Sequence, residues 1–238
     1  MVSEEIALTG GRVTQNVTRK GDIVYRPCCS NSDFVHRVLQ WLEAKQIQCT
    51  PKFLGIAGDG REMTSFLEGI SPPDLDHFNT NQLEEAAKII RTLHDAASDF
   101  PGCGLDQTVC HYDLSPCNFM FQNDLPYAVF DWDAAGIGDP LEDIAYAVWM
   151  WCDTGYTLEE NGPDEVGKQV RTFIEAYGLD RDQWTLLPDA MYRQMRRVAK
   201  SLGESNNLEG KQWAEYCERI LRKHENDLIK AILDSSHV

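Results

Sequence analysis

The chain has 238 residues, of which 42% are hydrophobic and 25% are charged. This composition matches that of soluble globular proteins and excludes a wholly disordered, collagen-like or coiled-coil chain. Acidic residues outnumber basic residues by 38 to 22, so the formal net charge is −16. Because an acidic surface repels phosphate backbones and anionic lipids, we expect neither nucleic acid nor a membrane as a partner. A small cationic molecule suits this charge better, and no particular oligomeric state is indicated.

The N-terminal sequence does not have the pattern of an export signal. Residues 1–5 are acidic where a signal peptide would be basic, and no apolar segment follows them. The longest apolar run, Ile144 to Cys152, is much shorter than a membrane-spanning helix. We therefore expect a cytoplasmic protein whose eight cysteines are reduced thiols.

Short apolar runs interrupted by glycine predict that the first third of the chain is mainly strand. These runs are Glu5 to Thr9, Arg12 to Val17, Asp22 to Arg26, Lys52 to Ala57 and Glu62 to Leu67. One helix interrupts them, because apolar residues between Phe34 and Leu42 recur at helical spacing after Ser32-Asp33. The pattern predicts an antiparallel sheet with one helix over residues 1–68.

A break between Gly69 and Pro73 separates this β-rich lobe from a mainly helical lobe over residues 69–238. Asn81 and Glu84 predict a capping box for the first helix of that lobe. Asp139-Pro140 predicts the start of a central helix that is apolar on all sides. Three amphipathic helices are predicted after it, over Pro163 to Tyr177, Arg181 to Leu202 and Leu208 to Leu233. Short strands are predicted before it, over Thr108 to Tyr112, Asn118 to Phe121 and Tyr127 to Asp131.

The most informative motif has the form H-x-D-x-x-x-x-N and runs from His111 to Asn118, in a predicted loop between two short strands. Such a loop can direct Asp113 and Asn118 into one cleft, where a carboxylate accepts a hydroxyl proton and an amide oxygen binds a metal ion. Asp131 ends the following hairpin and would place a second hard oxygen ligand, suited to Mg²⁺, at the mouth of the same cleft.

A purely structural role for these residues is the alternative. Asp113 would then cap a turn, and Asn118 would bind the backbone of the loop. The catalytic interpretation is favoured by the position of the motif at the end of a strand and by the aspartate at the end of the next strand. The β-rich lobe that precedes both favours it as well.

Three segments together resemble the aminoglycoside phosphotransferase/choline kinase superfamily of small-molecule kinases. They are His111 to Asn118, Asp131-Trp132-Asp133, and Gly138-Asp139-Pro140 with Asp143-Ile144-Ala145. The resemblance implies an α+β, protein-kinase-like fold with a small antiparallel β N-lobe, which binds nucleotide, and a mainly helical C-lobe. It also implies an ATP- and Mg²⁺-dependent O-phosphotransferase that moves the γ-phosphoryl group to a hydroxyl of a small acceptor.

The resemblance implies roles for single residues as well. Asp113 would be the catalytic aspartate that faces the acceptor hydroxyl. Asn118 and Asp131 would hold Mg²⁺ against the phosphates of ATP. His111 would brace the loop through hydrogen bonds, and Asp133 would support the metal site or face the substrate.

Three departures from the family pattern bear on catalysis. Tyr112 stands where the family usually has glycine, which predicts a different backbone arrangement in the loop. Kinases of this fold grip the α- and β-phosphates with a strand lysine that is held by a glutamate of the next helix. Here Arg26 is the candidate phosphate-binding residue, and the predicted helix offers only Asp33 and His36 as early polar partners. These departures favour one alternative function, a kinase-fold nucleotide-binding or regulatory protein with little or no activity.

The sequence after the central helix bears on the acceptor. Five acidic residues follow that helix: Asp153, Glu159, Glu160, Asp164 and Glu165. At the rim of the cleft they would favour an amine-bearing acceptor such as an aminoglycoside or an amino alcohol; alternatively, they form a solvated loop. Trp149, Trp151 and Tyr156 would likewise form an aromatic wall for a cation or belong to the core.

Overall fold

A five-stranded antiparallel sheet and one helix form the N-terminal part of the protein, in a computed structural model that describes residues 4–8, 16–72 and 77–234. The strands are β1 Ile6–Ala7, β2 Thr18–Lys20, β3 Ile23–Arg26, β4 Phe53–Ile56 and β5 Glu62–Ser65. They lie in the order β1-β2-β3-β5-β4. The helix α1, Ser32–Ala44, connects β3 to β4 and buries the predicted apolar face.

The N-terminal hairpin differs from the prediction in its second strand. The strand predicted over Arg12 to Val17 falls mostly outside the described residues, as does Pro73. The observed second strand begins at Thr18 and joins β3 through a tight turn at Gly21, whose φ of 61° suits glycine. In turn, β3 pairs with β5, so the last residue of β3 lies opposite the first residue of β5.

The C-terminal part is mostly helical. Its helices are α2 Thr80–Ala97, α3 Pro140–Trp151, α4 Tyr156–Asn161, α5 Pro163–Tyr177, α6 Leu187–Glu204 and α7 Leu208–Leu233. Two antiparallel strand pairs lie between α2 and α3: β6 Thr108–Cys110 with β9 Gly136–Gly138, and β7 Phe119–Gln122 with β8 Leu125–Val129. Within the described ranges, no helix combines the length and the apolar character that crossing a membrane requires.

The capping box of α2 lies two residues before the predicted one. The Asn79 side chain accepts the N–H of Gln82, and the Gln82 side chain accepts the N–H of Asn79. Gln82 also donates to the backbone oxygen of Asp124, 2.9 Å away, which fixes its side chain in the capping position. The prediction of Asn81 and Glu84 is therefore wrong, because the same spacing of polar residues occurs two positions earlier, where a tertiary contact supports it.

Two helices after α3 also differ from the prediction. The helix α6 begins at Leu187 and not at Arg181, because Pro188 is accepted only in the first turn of a helix. The short helix α4 lies within a stretch that the sequence analysis treats as an acidic loop. Asp153, two residues before the N-cap Gly155, supports the first turn of this helix by accepting hydrogen bonds from the N–H and the hydroxyl of Thr157.

The central helix α3 is the core of the C-terminal part, as predicted. The Trp151 ring packs edge-on against Phe119 with ring centroids 4.9 Å apart. Its indole N–H donates to the backbone oxygen of Leu114, 3.0 Å away. Trp149 stacks on Trp213 of α7 at 4.9 Å. Both α3 tryptophans are buried core residues, and Trp151 additionally anchors the loop that follows β6.

Gly167 allows α5 and α7 to approach closely, and this contact yields a stability prediction. A Cβ at this position would lie 2.5 Å from the Cβ of Ala231. The steric clash outweighs the about 0.5–1 kcal/mol that alanine gains over glycine within a helix. We expect Gly167→Ala to lower the free energy of unfolding by about 1–3 kcal/mol, measured by urea unfolding followed by tryptophan fluorescence.

Gly203 provides the control because it lies in the helix α6, near a flexible side chain. The nearest atom to an added Cβ there is Cδ of Lys211, 3.3 Å away. Gly203→Ala should leave stability unchanged or raise it by about 0.5 kcal/mol. Equal effects of the two substitutions would contradict the proposed role of the α5–α7 contact.

Candidate active site

The loop between β6 and β7 carries the predicted catalytic motif, and hydrogen bonds fix its first residue, His111. The buried His111 ring donates from Nε2 to the backbone oxygen of Phe130, 3.0 Å away. Its Nδ1 accepts the N–H of Asp113 at 3.3 Å. These bonds connect the loop to the strand end that precedes Asp131.

Asp113 and Asn118 lie at the two ends of the same loop and contact each other. Asn118 donates from Nδ2 to the backbone oxygen of Asp113 over 2.8 Å, which leaves its amide oxygen for another partner. The Asp113 carboxylate accepts a hydrogen bond from the Tyr146 hydroxyl at 2.7 Å. Burial and the neighbouring Asp113 raise the pKa of Tyr146 well above its usual value, so the hydroxyl remains a donor.

Asp131 and Asp133 follow β8 and meet Arg26 from the end of β3. Asp131 has a φ of 62°, in the left-handed region that non-glycine residues rarely occupy. Its Oδ1 lies 3.3 Å from Nη1 of Arg26, and Asp133 pairs with Nη2. Asn31 fixes the same segment by donating to the backbone oxygen of Asp133 at 3.0 Å. Three predicted site residues therefore meet, although Arg26 and Asp131 are 105 residues apart in the sequence.

Arg26 contacts three carboxylates, which favour its charged form. Besides Asp131 and Asp133, Oε1 of Glu62 lies 2.9 Å from its Nε. This contact is an ion pair and not a hydrogen bond, because the Nε–H is not directed at that oxygen. Burial disfavours the charge of the guanidinium, but the carboxylates outweigh burial, so the pKa of Arg26 lies above its usual value. The candidate phosphate-binding arginine is thus a partly buried cation with three carboxylate neighbours.

The carboxylate that supports Arg26 comes from β5 and not from α1, so the prediction of Asp33 or His36 as its partner is wrong. Asp33 is exposed. His36 instead contacts Glu62, with Nε2 2.6 Å from Oε2, and Ser32 donates to the same oxygen at 3.1 Å. The pairing of β3 with β5 decides this arrangement. No pattern in the sequence predicts which residues of two strands lie opposite each other when a helix and another strand separate them.

Asp143, in the first turn of α3, belongs to the segments that carry the family resemblance, but no role is predicted for it. It is fully buried, and its carboxylate accepts the N–H groups of His111 and Tyr112 at 2.7 Å each. Nε2 of His94 lies 3.1 Å from the same carboxylate, and its Nδ1 lies 2.9 Å from the Tyr177 hydroxyl. The signal for this role is an acidic residue directly before the apolar stretch of α3, because a carboxylate buried there requires hydrogen-bond partners.

Tyr112 adopts a backbone conformation that glycine favours more than other residues do. Its φ is 62°. Its ring lies against Gly138, where an added Cβ would be 1.9 Å from the Tyr112 hydroxyl. The guanidinium of Arg197 covers the ring at 4.1 Å from the ring centroid. The side chain therefore fills the space between the loop and α6, while Asp143 holds its backbone.

Part of the acidic group after α3 is engaged within the helical part. Asp153 supports the first turn of α4, and Glu159 lies 3.0 Å from Nζ of Lys223 on α7. Tyr156, the third residue of the predicted aromatic wall, is half exposed and stacks on Tyr216 at 5.0 Å. These residues therefore have structural partners, which favours the alternative that they belong to the packed surface of the helices.

Comparisons with known proteins agree with this geometry. A model of the phosphotransferase enzyme family matches residues 98–187, a segment that contains the catalytic loop, Asp131 and α3. The trifolitoxin immunity protein of Rhizobium leguminosarum bv. trifolii is 30% identical to this chain over 208 residues. That alignment covers 76% of this chain and 77% of the relative.

Solved structures of small-molecule kinases are similar over nearly the whole chain. A microcompartment-associated aminopropanol kinase has a TM-score of 0.65 at 14% identity, covering 96% of this chain and 94% of its own. Wild-type aminoglycoside 2'-phosphotransferase-IIIa in complex with GDP has a TM-score of 0.59 at 14% identity, with 95% and 94% covered. A choline/ethanolamine kinase family protein from Mesorhizobium loti has a TM-score of 0.60 at 15% identity, with 97% and 92% covered.

At these low identities the solved structures show a shared fold, whereas the 30% identical relative shows a shared family. The fold, the candidate catalytic loop and this relative agree on the family of the chain. The chain belongs to the aminoglycoside phosphotransferase/choline kinase superfamily, in the same family as the trifolitoxin immunity protein.

Proposed function

We propose that this protein is an ATP- and Mg²⁺-dependent kinase that phosphorylates a hydroxyl group of a small acceptor. Its family supports the coarser assignment of a small-molecule phosphotransferase. The observation that carries the proposal is the placement of Asp113 and Asn118 on one loop, with Arg26 paired to Asp131 beside it. Phosphoryl transfer requires a proton acceptor, metal ligands and a cationic phosphate contact, and these side chains are of the required kinds.

Asn118 and Asp131 offer the oxygen donors that Mg²⁺ prefers. Asn118 uses its amide nitrogen for the backbone of Asp113, so its amide oxygen is available, and the Asp131 side chain is 38% exposed. Bound Mg²⁺ would neutralise charge on the nucleotide phosphates. Arg26 would exchange its contacts with the aspartates for phosphate oxygens, which a guanidinium can bind through two N–H groups at once.

Asp113 would accept the proton of the acceptor hydroxyl. Tyr146 binds Oδ1 of this carboxylate, which leaves Oδ2 for the acceptor. The same hydrogen bond orients the carboxylate, as proton transfer from the acceptor requires.

We further propose an amine-bearing acceptor and a cytoplasmic location. The net charge of −16 favours cations near the molecule. The names of the structural relatives include aminoglycoside, aminopropanol and choline/ethanolamine kinases, all with amine-bearing substrates. The eight cysteines, all among the described residues, form no disulfide, which suits the reducing compartment in which ATP is available.

The 30% identical immunity protein favours a second candidate function. In that case the protein would protect a cell against a toxin, as a nucleotide-dependent binding or regulatory protein with little catalysis. The replacement of the strand lysine by Arg26 and the absence of a glutamate from the start of α1 support this candidate. The two candidates predict different effects of an Asp113 substitution. Phosphorylation of an acceptor requires Asp113, whereas protection by binding does not.

The first prediction separates the roles of Asp113 and Asp131. Asp113→Asn removes the proton acceptor and should lower turnover by about 10²–10⁴-fold with nearly unchanged nucleotide affinity. Asp131→Ala removes a metal ligand and should weaken Mg²⁺–ATP binding and turnover together. Turnover is measured as phosphorylated product with a panel of aminoglycosides and amino alcohols, and affinity by calorimetry with Mg²⁺–ADP.

The control for these two variants is Asp106→Asn, an exposed aspartate in the segment before β6. It should behave as the unmodified protein. Small and equal effects of the Asp113 and Asp131 substitutions on turnover would reject the assigned roles. If the protein phosphorylates no member of the panel but binds nucleotide tightly, the second candidate is favoured.

Arg26 generates a prediction on nucleotide affinity. Arg26→Ala should weaken Mg²⁺–ATP binding by about 1–3 kcal/mol, the range of charged hydrogen bonds. Arg26→Lys should restore part of the loss, because it returns the charge without the bidentate geometry. Calorimetry measures both variants, and an unchanged affinity of the alanine variant would exclude Arg26 from phosphate binding.

The charge of the acceptor generates a prediction on salt dependence. An amine-bearing acceptor should bind less well as salt rises from about 0.01 M to 0.15 M, since the Debye length falls from about 30 Å to 8 Å. The KM of the acceptor is measured across this range, with a neutral polyol of similar size as the control. A KM that does not change with salt would reject the cationic acceptor and leave the kinase assignment intact.

A further inference from the structure

We infer that Glu62 on β5 is the positioning residue for Arg26. Together with Ser32 and His36 of α1, Glu62 takes the place of the glutamate that kinases of this fold carry on the corresponding helix. The inference rests on the proposed function, in which Arg26 binds phosphate. It assigns a role to a buried carboxylate that the catalytic residues named above do not include. It also gives a reason for the arginine in place of lysine.

The sheet itself places Glu62 next to Arg26. The antiparallel register of β3 and β5 sets the two residues directly opposite each other. The Glu62 side chain is only 5% exposed, and its Oε1 lies 2.9 Å from Nε of Arg26. A buried carboxylate without a cationic partner is strongly unfavourable, so this pairing is a requirement of the fold as well as a contact.

Glu62 differs from the two other carboxylates around Arg26 in where it lies. The Asp131 and Asp133 side chains are 38% and 31% exposed and follow β8, on the far side of the cleft from the sheet. Asp131 is a proposed metal ligand, so its charge would be used by Mg²⁺ when nucleotide is bound. Glu62 is the carboxylate that keeps its contact with Arg26 both without and with bound nucleotide.

The three contacts use different nitrogens of the guanidinium. Glu62 lies at Nε, Asp131 at Nη1 and Asp133 at Nη2. When the aspartates release Arg26, both terminal nitrogens become available for phosphate oxygens, while the Nε side stays against Glu62. A lysine has one charged nitrogen and cannot divide its contacts in this way. The geometry therefore explains why an arginine suits a strand carboxylate.

Helix α1 is joined to this pair through the second oxygen of Glu62. Oε2 accepts the Ser32 hydroxyl at 3.1 Å and lies 2.6 Å from Nε2 of His36. The His36 ring stacks on Phe53 of β4 at 3.8 Å, which holds it in place. Both oxygens of Glu62 are thus engaged, one toward Arg26 and one toward α1. The helix contributes to the position of the arginine without carrying the carboxylate.

The test is a double-mutant cycle on the affinity for Mg²⁺–ADP, measured by calorimetry on the full chain. Glu62→Gln keeps the shape of the side chain and removes its charge, and should weaken binding about tenfold, the effect of losing one charged contact. In the Arg26→Ala background the same substitution should have no further effect, because Glu62 acts through Arg26. Thermal unfolding of every variant separates lost affinity from lost folding.

Two further variants keep the inference testable. Glu43→Gln, on an exposed part of α1 where Glu43 pairs with Lys52, should leave the affinity unchanged. Ser32→Ala removes one hydrogen bond to Glu62 and should weaken Mg²⁺–ADP binding about threefold. This variant should fold, so it tests the inference even if Glu62→Gln does not fold. An affinity unaltered by both the Ser32 and Glu62 substitutions would overturn the inference.

The remaining outcomes are also decisive. Equal losses from Glu62→Gln with and without Arg26 would mean that Glu62 stabilises the lobe and does not position the arginine, which overturns the inference. If the unmodified protein binds no Mg²⁺–ADP, the proposed function and the inference fall together. If it binds and only the Glu62 result fails, the proposed function stands alone.

Discussion

One buried carboxylate holds the loop on which the site depends. Asp143 lies inside the apolar core of α3, where an unpaired charge would be prohibitively unfavourable. The N–H groups of His111 and Tyr112 satisfy it, and His94 completes its partners. Because the carboxylate needs these donors, the loop backbone must stay where they are available, including the left-handed conformation of Tyr112. Asp113, the next residue, takes its position from this requirement.

Much of the fold and of the site follows from the sequence where the information is local. The apolar pattern of α3, the strand ends around His111 and Asp131, and the loop with Asp113 and Asn118 are all encoded by neighbouring residues. Arg26 meets Asp131, a contact that the sequence does not predict. The role of Glu62 is not predicted either, because it depends on the register between two strands that a helix and another strand separate. The start of α2 was misplaced for a related reason, since the contact of Gln82 with Asp124 selects one of two similar capping sequences.

The ion pairs of the molecule are of two kinds, exposed pairs on the helices and the partly buried group around Arg26. Overall, acidic residues exceed basic ones by a wide margin, and many pair with lysine or arginine on the surface of the helices, as Glu159 does with Lys223. Such exposed pairs contribute little to stability. Arg26 is in a different situation, because it is partly buried and is the shared cationic partner of three carboxylates. Its loss would leave several like charges close together, so the residue matters to the integrity of the site and not only to its chemistry.

The pairing of Arg26 with Asp131 has a consequence for the order in which ligands enter. In the nucleotide-free protein the carboxylate that would bind the ion is already paired with the Arg26 guanidinium. A free divalent ion must therefore compete with the arginine for Asp131. An ion that arrives already chelated by a polyphosphate brings the anion that Arg26 needs as a replacement. Under the proposed chemistry, ion and nucleotide enter as one complex, and the exchange of partners by a single side chain couples the two binding events.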